Sequence, residues 1–517
     1  MPSVSVRDAQ APLILTLDIG TSSLRVLLFD AQGRQVSGVE ARTQYTVHTT
    51  PDGGAELDPQ AVLAAAIECF DQALAQAGDR QAQIAGVGAC SLASSLVGVA
   101  GEEAVTPVYI WADTRPTPDA EALRAALDEK AVHDRTGCVI HASYLPARFL
   151  WLHRTRPDLL ARAQRWMSIS EYLYWRLLGE ITCSLSIASW TGLLDRRQLT
   201  WDREWLSRLP IVESQLSPLS DVDVPLRIRR PEFARRWPAL AQVPWFPAVG
   251  DGVGSNLGSG CTTPRRIAVN AGTSGAMRVV IPGTPERVPD GLWCYRVDRH
   301  YSLLGGALSN VGNVFQWLRQ TLQLGSPEEI ERHLAEAEPD GHGLTVLPFL
   351  AGERAPGWAG HARAAFVGIG WHTRPLDLLQ AGLESVAYRF ALLYHLLEPT
   401  VAGAGETTGE EEAAGKDRRG AGPEVIVSGG AMLSSPAWTQ ILCDVLGRPV
   451  ITSAETEATS RGAALLALKA LGVIKEVDEL PAALGRVFHP CSERHRRYQE
   501  AIERQRRLYE LLIGVRK

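Results

Sequence analysis

Twice along this 517-residue chain, an apolar run stops at a short Gly-Thr-Ser turn and resumes as a second apolar run. The first unit is Leu13 to Leu17, the turn Asp18-Ile19-Gly20-Thr21-Ser22-Ser23, then Leu24 to Phe29. The second is Ile267 to Asn270, the turn Ala271-Gly272-Thr273-Ser274-Gly275, then Ala276 to Ile281. Apolar runs joined by small polar residues read as β-hairpins. Two hairpins of one design, so far apart, predict a chain of two related halves. A single core rarely organises a chain of this length, so two large domains are expected. The boundary falls near residue 260, giving an N-terminal domain over 12–260, a C-terminal domain over 261–475 and a helical extension over 476–517.

Composition narrows the class. Hydrophobic residues make up 45% and charged residues 21% of the chain, as in globular enzymes. A net charge of −6 argues against a general nucleic-acid binder. None of the eight cysteines forms a C-x-x-C pair or a zinc-spaced cluster, so reduced thiols in a cytoplasmic protein are expected. Met1 to Gln10 lacks the apolar centre of a secretory leader. No apolar run reaches the roughly 20 residues of a membrane span.

Between the hairpins, apolar spacing predicts an amphipathic helix over Ala61 to Ala77. Strands are expected at Ile84 to Val87, Ser95 to Val99 and Val108 to Trp111. Pro146 to Leu178 reads as mainly helical, with Trp151, Trp166 and Trp175 in the core. The stretch from Thr400 to Pro423 is rich in Gly, Ala and Glu, which predicts a mobile surface insertion. Arg494 to Val515 reads as a charged helix.

Four segments can carry chemistry. At the first turn, Gly20 permits a tight bend, and Thr21 and Ser22 bring hydroxyls and N–H groups suited to phosphate oxygens. Asp18 is placed for a hydrated Mg²⁺, and Arg25 for charge on a transferring phosphoryl group. The second turn, with Gly272 and Thr273, suggests a triphosphate gripped from both sides. In Gly250-Asp251-Gly252, a carboxylate flanked by glycines can accept a proton from a substrate hydroxyl; a plain helix N-cap explains the same residue types. Ser428-Gly429-Gly430-Ala431 offers bare backbone to a flat base.

Together these segments resemble the FGGY carbohydrate kinases of the actin-like ATPase superfamily. LDIGTSSLRVLLFD and NAGTSGAMRVV match the family's phosphate motifs, and AVGDGVGSNLGSG its catalytic segment. GGALSNVGNVFQWL, FLAGERAPGW and SGGAMLSSPAWTQILCDVLGRPV follow in the family's order. The resemblance implies two actin-like (ribonuclease H-like) domains, each a mixed sheet flanked by helices, with a cleft between them. It also implies ATP and Mg²⁺ as cofactors, a small sugar or sugar acid as partner, and a possible homodimer. Residue by residue, it makes Asp251 the general base and Asp18 and Asp251 the metal carboxylates. It places Gly20, Thr21, Ser22 and Arg25 near the transferring phosphate and Gly272 and Thr273 on the β- and γ-phosphates. Gly312 and Gln316 fall by phosphate and ribose, and Gly430, Ala431 and Ser434 in the adenine pocket.

The stretches YIWADTR, RTGCVIH, SIASWTGLL, WCYRV and LAGERAP are most similar to the gluconate kinases of the group, so D-gluconate is the expected substrate. Xylulose or another ketose or polyol is the alternative within the family, and an actin-like ATPase without sugar transfer the alternative outside it. Trp111 and Asp113 match a substrate segment. Glu353-Arg354 resembles a cleft segment, with a structural ion pair as its plainer reading. Where many members carry Met-His, this chain has Ala93-Ser94, so Ser94 can bond a hydroxyl but brings no positive charge to a carboxylate.

Overall fold

In a computed structural model the described residues, 3–404 and 422–514, form two α/β lobes. Most of the insertion expected at 400–423 lies outside the described residues, as does Val515 at the end of the expected C-terminal helix.

The N-terminal sheet is built from β1 (Leu13–Ile19), β2 (Ser23–Phe29), β3 (Gln35–Gln44), β4 (Ile84–Ser91) and β5 (Val249–Gly250). β1 pairs antiparallel with β2, and β2 with β3, while β4 runs parallel to β1 and β5 parallel to β4. The spatial order is β3-β2-β1-β4-β5, with Ser3–Ser5 outside β3. Every residue of the central β1 is buried, as a strand covered on both faces requires. α1 (Pro59–Ala77) packs on β2 and β3. Asp58 fixes its start by accepting from the Gln60 N–H at 2.9 Å, with Pro59 at the first helical position.

The stretch expected to be mainly helical is interrupted. Helices Leu145–Thr155, Pro157–Arg162 and Ile169–Leu178 flank a strand, Arg165–Met167, which pairs antiparallel with Val97–Ala100. Trp151, Trp166 and Trp175 are all buried, but Trp166 reaches the core from that strand. Pairing with a distant strand overrides the local helical spacing there. After β5 comes α2 (Asp251–Gly258).

The second sheet repeats the plan with β6 (Arg266–Ala271), β7 (Gly275–Pro282), β8 (Tyr301–Leu308), β9 (Glu424–Ser428) and β10 (Val450–Ser453). Its order is β8-β7-β6-β9-β10, with the same parallel and antiparallel pairings. Trp293–Arg296 and Leu484–Phe488 extend its two edges. The expectation of two related halves therefore holds at the level of strand order. Around this sheet lie α3 (Gly312–Thr321), α4 (Pro375–Ala404), α5 (Ala458–Ala470) and α6 (Ser492–Leu512).

α2 and α5, each following the fifth strand of its lobe, cross with their backbones in contact. A Cβ added at Gly258 would lie 1.7 Å from the Ala458 carbonyl oxygen, and one at Gly462 2.0 Å from that of Gly254. Buried Arg461 secures the crossing, donating to the carbonyls of Gly258 at 2.7 Å, Gly33 at 3.0 Å and Leu480 at 2.8 Å. The edge strand Trp293–Arg296 adds a second seam. Cys294 N–H donates to Gly137 O at 2.9 Å, and the Tyr144 and Tyr295 hydroxyls meet at 2.5 Å.

Candidate active site

The first turn is shorter than its sequence suggests, because β1 continues through Asp18 to Ile19. Asp18 stands in register with Arg25 of β2. Arg25 Nε donates to Asp18 Oδ2 at 2.8 Å, and its Nη1 donates to Glu457 Oε2 at 2.7 Å. Ser460 Oγ, from α5, donates to the same Asp18 oxygen at 3.4 Å. Gly20 N–H closes the turn on Ser23 O at 2.9 Å, leaving Ser22 exposed at the tip. Thr21 Oγ1 accepts from Trp111 Nε1 at 3.3 Å.

In the C-terminal lobe, three segments far apart in sequence converge. Gly312 N–H at the start of α3 donates to Gly272 O at 2.9 Å, and Asn313 N–H donates to Thr273 O at 3.1 Å. Gly429 has φ +94°, and a Cβ there would sit 2.5 Å from Ala271 O, so only glycine lets this strand end approach the second turn. Gly312 borders Ala431 in turn. Thr273, Gly430 and Ser434 are exposed, as is Gln316 one turn along α3. Gly272, Thr273, Gly312 and Ala431 are thus brought together, with Gly430 and Ser434 beside Ala431, while Gly20, Thr21, Ser22 and Arg25 lie on the other lobe.

Asp251 is the first residue of α2, and Gly250, not Asp251, is the N-cap. Its Oδ1 accepts from Gly252 N–H at 2.6 Å, and the helix start favours its negative charge. Burial pushes the carboxyl above the ordinary Asp value; Arg278, the Gly252 N–H and Arg354 oppose the shift, and Asp18 reinforces it. Arg278 reaches in from β7 and donates to Gly252 O at 2.8 Å. Trp190 lies against Gly250 and Gly252 and stacks on Tyr295 at 4.0 Å between ring centroids. The carboxylate therefore sits where both lobes meet.

The substrate candidates separate. Trp111 is half-buried, with the Arg354 guanidinium 5.2 Å from its ring centroid, so it bridges the two lobes at the cleft. Ser94 is buried with φ +52°, and its hydroxyl donates to Trp190 O at 2.5 Å. Asp113 departs from expectation. Its side chain is fully buried and both oxygens accept from Arg115, with Nη2 at 2.5 Å from Oδ2. Arg115 also pairs with Glu56 and lies over Trp151 at 4.4 Å. Hydroxyl-binding oxygens were expected here; an internal ion pair occupies them. Glu353 and Arg354 also part ways. Glu353 pairs with buried Arg389 and accepts from Tyr509, as its plainer reading had it, while Arg354 turns to the cleft.

Arg278 and Glu457 were not among the candidates. An arginine inside the otherwise apolar run Ala276 to Ile281 is the signal that marks Arg278; nothing local marks Glu457. Asp18 and Asp251 are the carboxylates that offer oxygen ligands here, and the charge of Asp18 acts against ionisation of Asp251. Carboxylates that repel in this way suit a hard divalent cation.

Residues 13–258 match the model for the FGGY family of carbohydrate kinases, N-terminal domain, and residues 267–471 that for its C-terminal domain. The chain belongs to the FGGY family of carbohydrate kinases. This FGGY kinase is 27% identical to a gluconokinase of Bacillus licheniformis, over 97% of this chain and 95% of that one. It is 30% identical to a glycerol kinase of Deinococcus radiodurans, over 90% of each. Among solved structures, a ligand-bound xylulose kinase from Lactobacillus acidophilus superposes with TM-score 0.86 at 25% identity, covering 97% of this chain and 98% of that one. A gluconate kinase from the same organism gives 0.85 at 26%, with the same coverage. The FGGY kinase fold of two mixed sheets flanked by helices is the one expected from sequence. Among the described residues no helix is long and apolar enough to cross a membrane.

Proposed function

We propose that this FGGY kinase transfers the γ-phosphoryl group of ATP to a hydroxyl of D-gluconate, giving 6-phosphogluconate. The observation that carries this reading is Asp251 at the start of α2, where Arg278 of the C-terminal lobe donates to the adjoining Gly252 carbonyl and the charges of Arg278 and Arg354 act on its carboxyl. When bound, MgATP supplies the phosphoryl group and the metal neutralises its charge; Asp18 and Asp251 would hold that metal. Asp251 orients the acceptor hydroxyl and takes its proton, at a carboxyl made more basic by burial. The paired Gly-Thr-Ser turns, Gly312 and the Gly430-Ala431 surface hold nucleotide between the lobes, and Gln316 and Ser434 border it. Closure about the α2–α5 crossing then excludes water from the acceptor. Similarity to the Bacillus gluconokinase supports the choice of acid, and the xylulose kinase neighbour supports a ketose as the second reading.

Coupled ADP release over gluconate, xylulose, ribulose, erythritol and glycerol separates the two. Turnover of a ketose with none of gluconate retires the first reading. ATP consumption indifferent to every sugar retires both.

A further inference from the structure

Arg354 is a cation in the cleft with its hydrogen-bonding capacity largely unspent. Its Nε donates to Ser309 Oγ at 3.3 Å and its Nη2 to Leu308 O at 3.3 Å, both near the outer limit of a hydrogen bond. Those contacts use two of five guanidinium N–H groups. Among the described residues it makes no ion pair with a carboxylate, although it is half-buried. Its neighbour Glu353 is committed to Arg389 and Tyr509. A partly desolvated arginine without an anion is costly to keep, and its planar fork matches a carboxylate in two-point geometry.

Its position narrows the anion. The guanidinium lies 5.2 Å from the ring centroid of Trp111, a residue of the opposite lobe, and its charge acts on Asp251. It is thus on the acceptor's side of the cleft. Ser94, the candidate of the N-terminal lobe there, carries no charge and spends its hydroxyl on Trp190. Arg278 is buried and holds the Gly252 carbonyl.

We infer that Arg354 recognises the carboxylate of the sugar-acid substrate, reaching it from the C-terminal lobe across Trp111. This rests on the gluconate reading above. It makes recognition of the acid and closure of the lobes one event, because the acid is bound at its hydroxyl end by one lobe and at its carboxylate by the other.

The test is steady-state kinetics of Arg354→Gln and Arg354→Lys with gluconate and with its neutral polyol counterpart, sorbitol, each against MgATP. Arg354→Gln is expected to raise KM for gluconate about 10- to 100-fold, the usual worth of a charge-assisted contact. The KM values for MgATP and for sorbitol should hold within about twofold, since neither uses this contact. Arg354→Lys, which keeps the charge but not the fork, should recover part of the loss. A gluconate KM unmoved by either variant overturns the inference. So does a fall in kcat shared equally by acid and polyol, which would assign Arg354 to the phosphoryl group. Wild-type enzyme that turns over neutral sugars but not gluconate refutes the functional reading itself, a result distinct from both.

Discussion

Arg25, on the first hairpin of the N-terminal lobe, donates to Glu457, at the entry to α5 in the C-terminal lobe, at 2.7 Å. The pair is half-buried, and its arginine also holds Asp18 at 2.8 Å. Glu457 therefore sets where Arg25 can point. Glu457→Gln is expected to raise the KM for MgATP about fivefold while leaving the sugar KM unchanged, a loss of about 1 kcal/mol, at the upper end for a partly exposed pair. Combining it with Arg25→Gln should cost less than the sum of the two single changes. Strict additivity in that double-mutant cycle would show that the contact has no bearing on nucleotide binding.

The Asp251 carboxyl carries a second consequence. Its folded-state value lies above that of the unfolded chain because burial disfavours the charge. The ionised group thus costs stability at neutral pH, and the cost shrinks once pH falls below the raised value and is gone below the ordinary Asp value. Asp251→Asn should abolish turnover yet raise Tm by about 2 °C at pH 7, where a change of 1 kcal/mol moves a domain of this size by a few degrees. The gain should shrink toward pH 4. A variant less stable than wild type at pH 7, or one with substantial activity, contradicts the assignment. In wild type, the acid limb of the kcat/KM profile, which reports the free enzyme, should sit above the range of an ordinary aspartate.

Asp113 separates structure from recognition. Removing one partner from a buried ion pair costs about 3–5 kcal/mol. Asp113→Asn should lower the unfolding free energy by an amount in that range, read from denaturant titration, and leave the sugar KM of the folded fraction nearly unchanged. A stable variant with a sharply raised sugar KM would return Asp113 to the substrate site.

At the helix crossing, Gly258→Ala places a methyl group against the Ala458 carbonyl. Separating two packed helices to admit it should cost about 1–3 kcal/mol. Scattering should also show a changed response of particle dimensions to added MgATP and sugar. Wild-type stability and compaction in this variant would mean that the helices are not in backbone contact in solution.

How much of this was legible beforehand follows from what each residue depends on. The two hairpins, the acid between glycines and the order of motifs are local patterns, and each falls where the chain's own spacing put it. Asp113 looked like a ligand because its neighbours Trp111 and Arg115 suit a site. Only the tertiary placement of Glu56 and Trp151 turns Arg115 inward and spends the acid. Glu353 and Arg354 are adjacent yet serve different neighbourhoods, since consecutive side chains leave the backbone in different directions. Glu457 had no local mark because its partner lies 432 positions away. The mainly helical reading of 146–178 holds but misses one strand for a related reason, since pairing with Val97–Ala100 decides Arg165–Met167.

A molecule assembled twice on one blueprint inherits every strategic corner in duplicate. The corner after the fifth strand, where a helix begins against the other copy, holds Asp251 in one half and Glu457 in the other. On the proposed reading one acid serves the acceptor, while its counterpart holds an arginine of the other lobe. The two halves thus place an acid at matching corners of the fold and give it different partners.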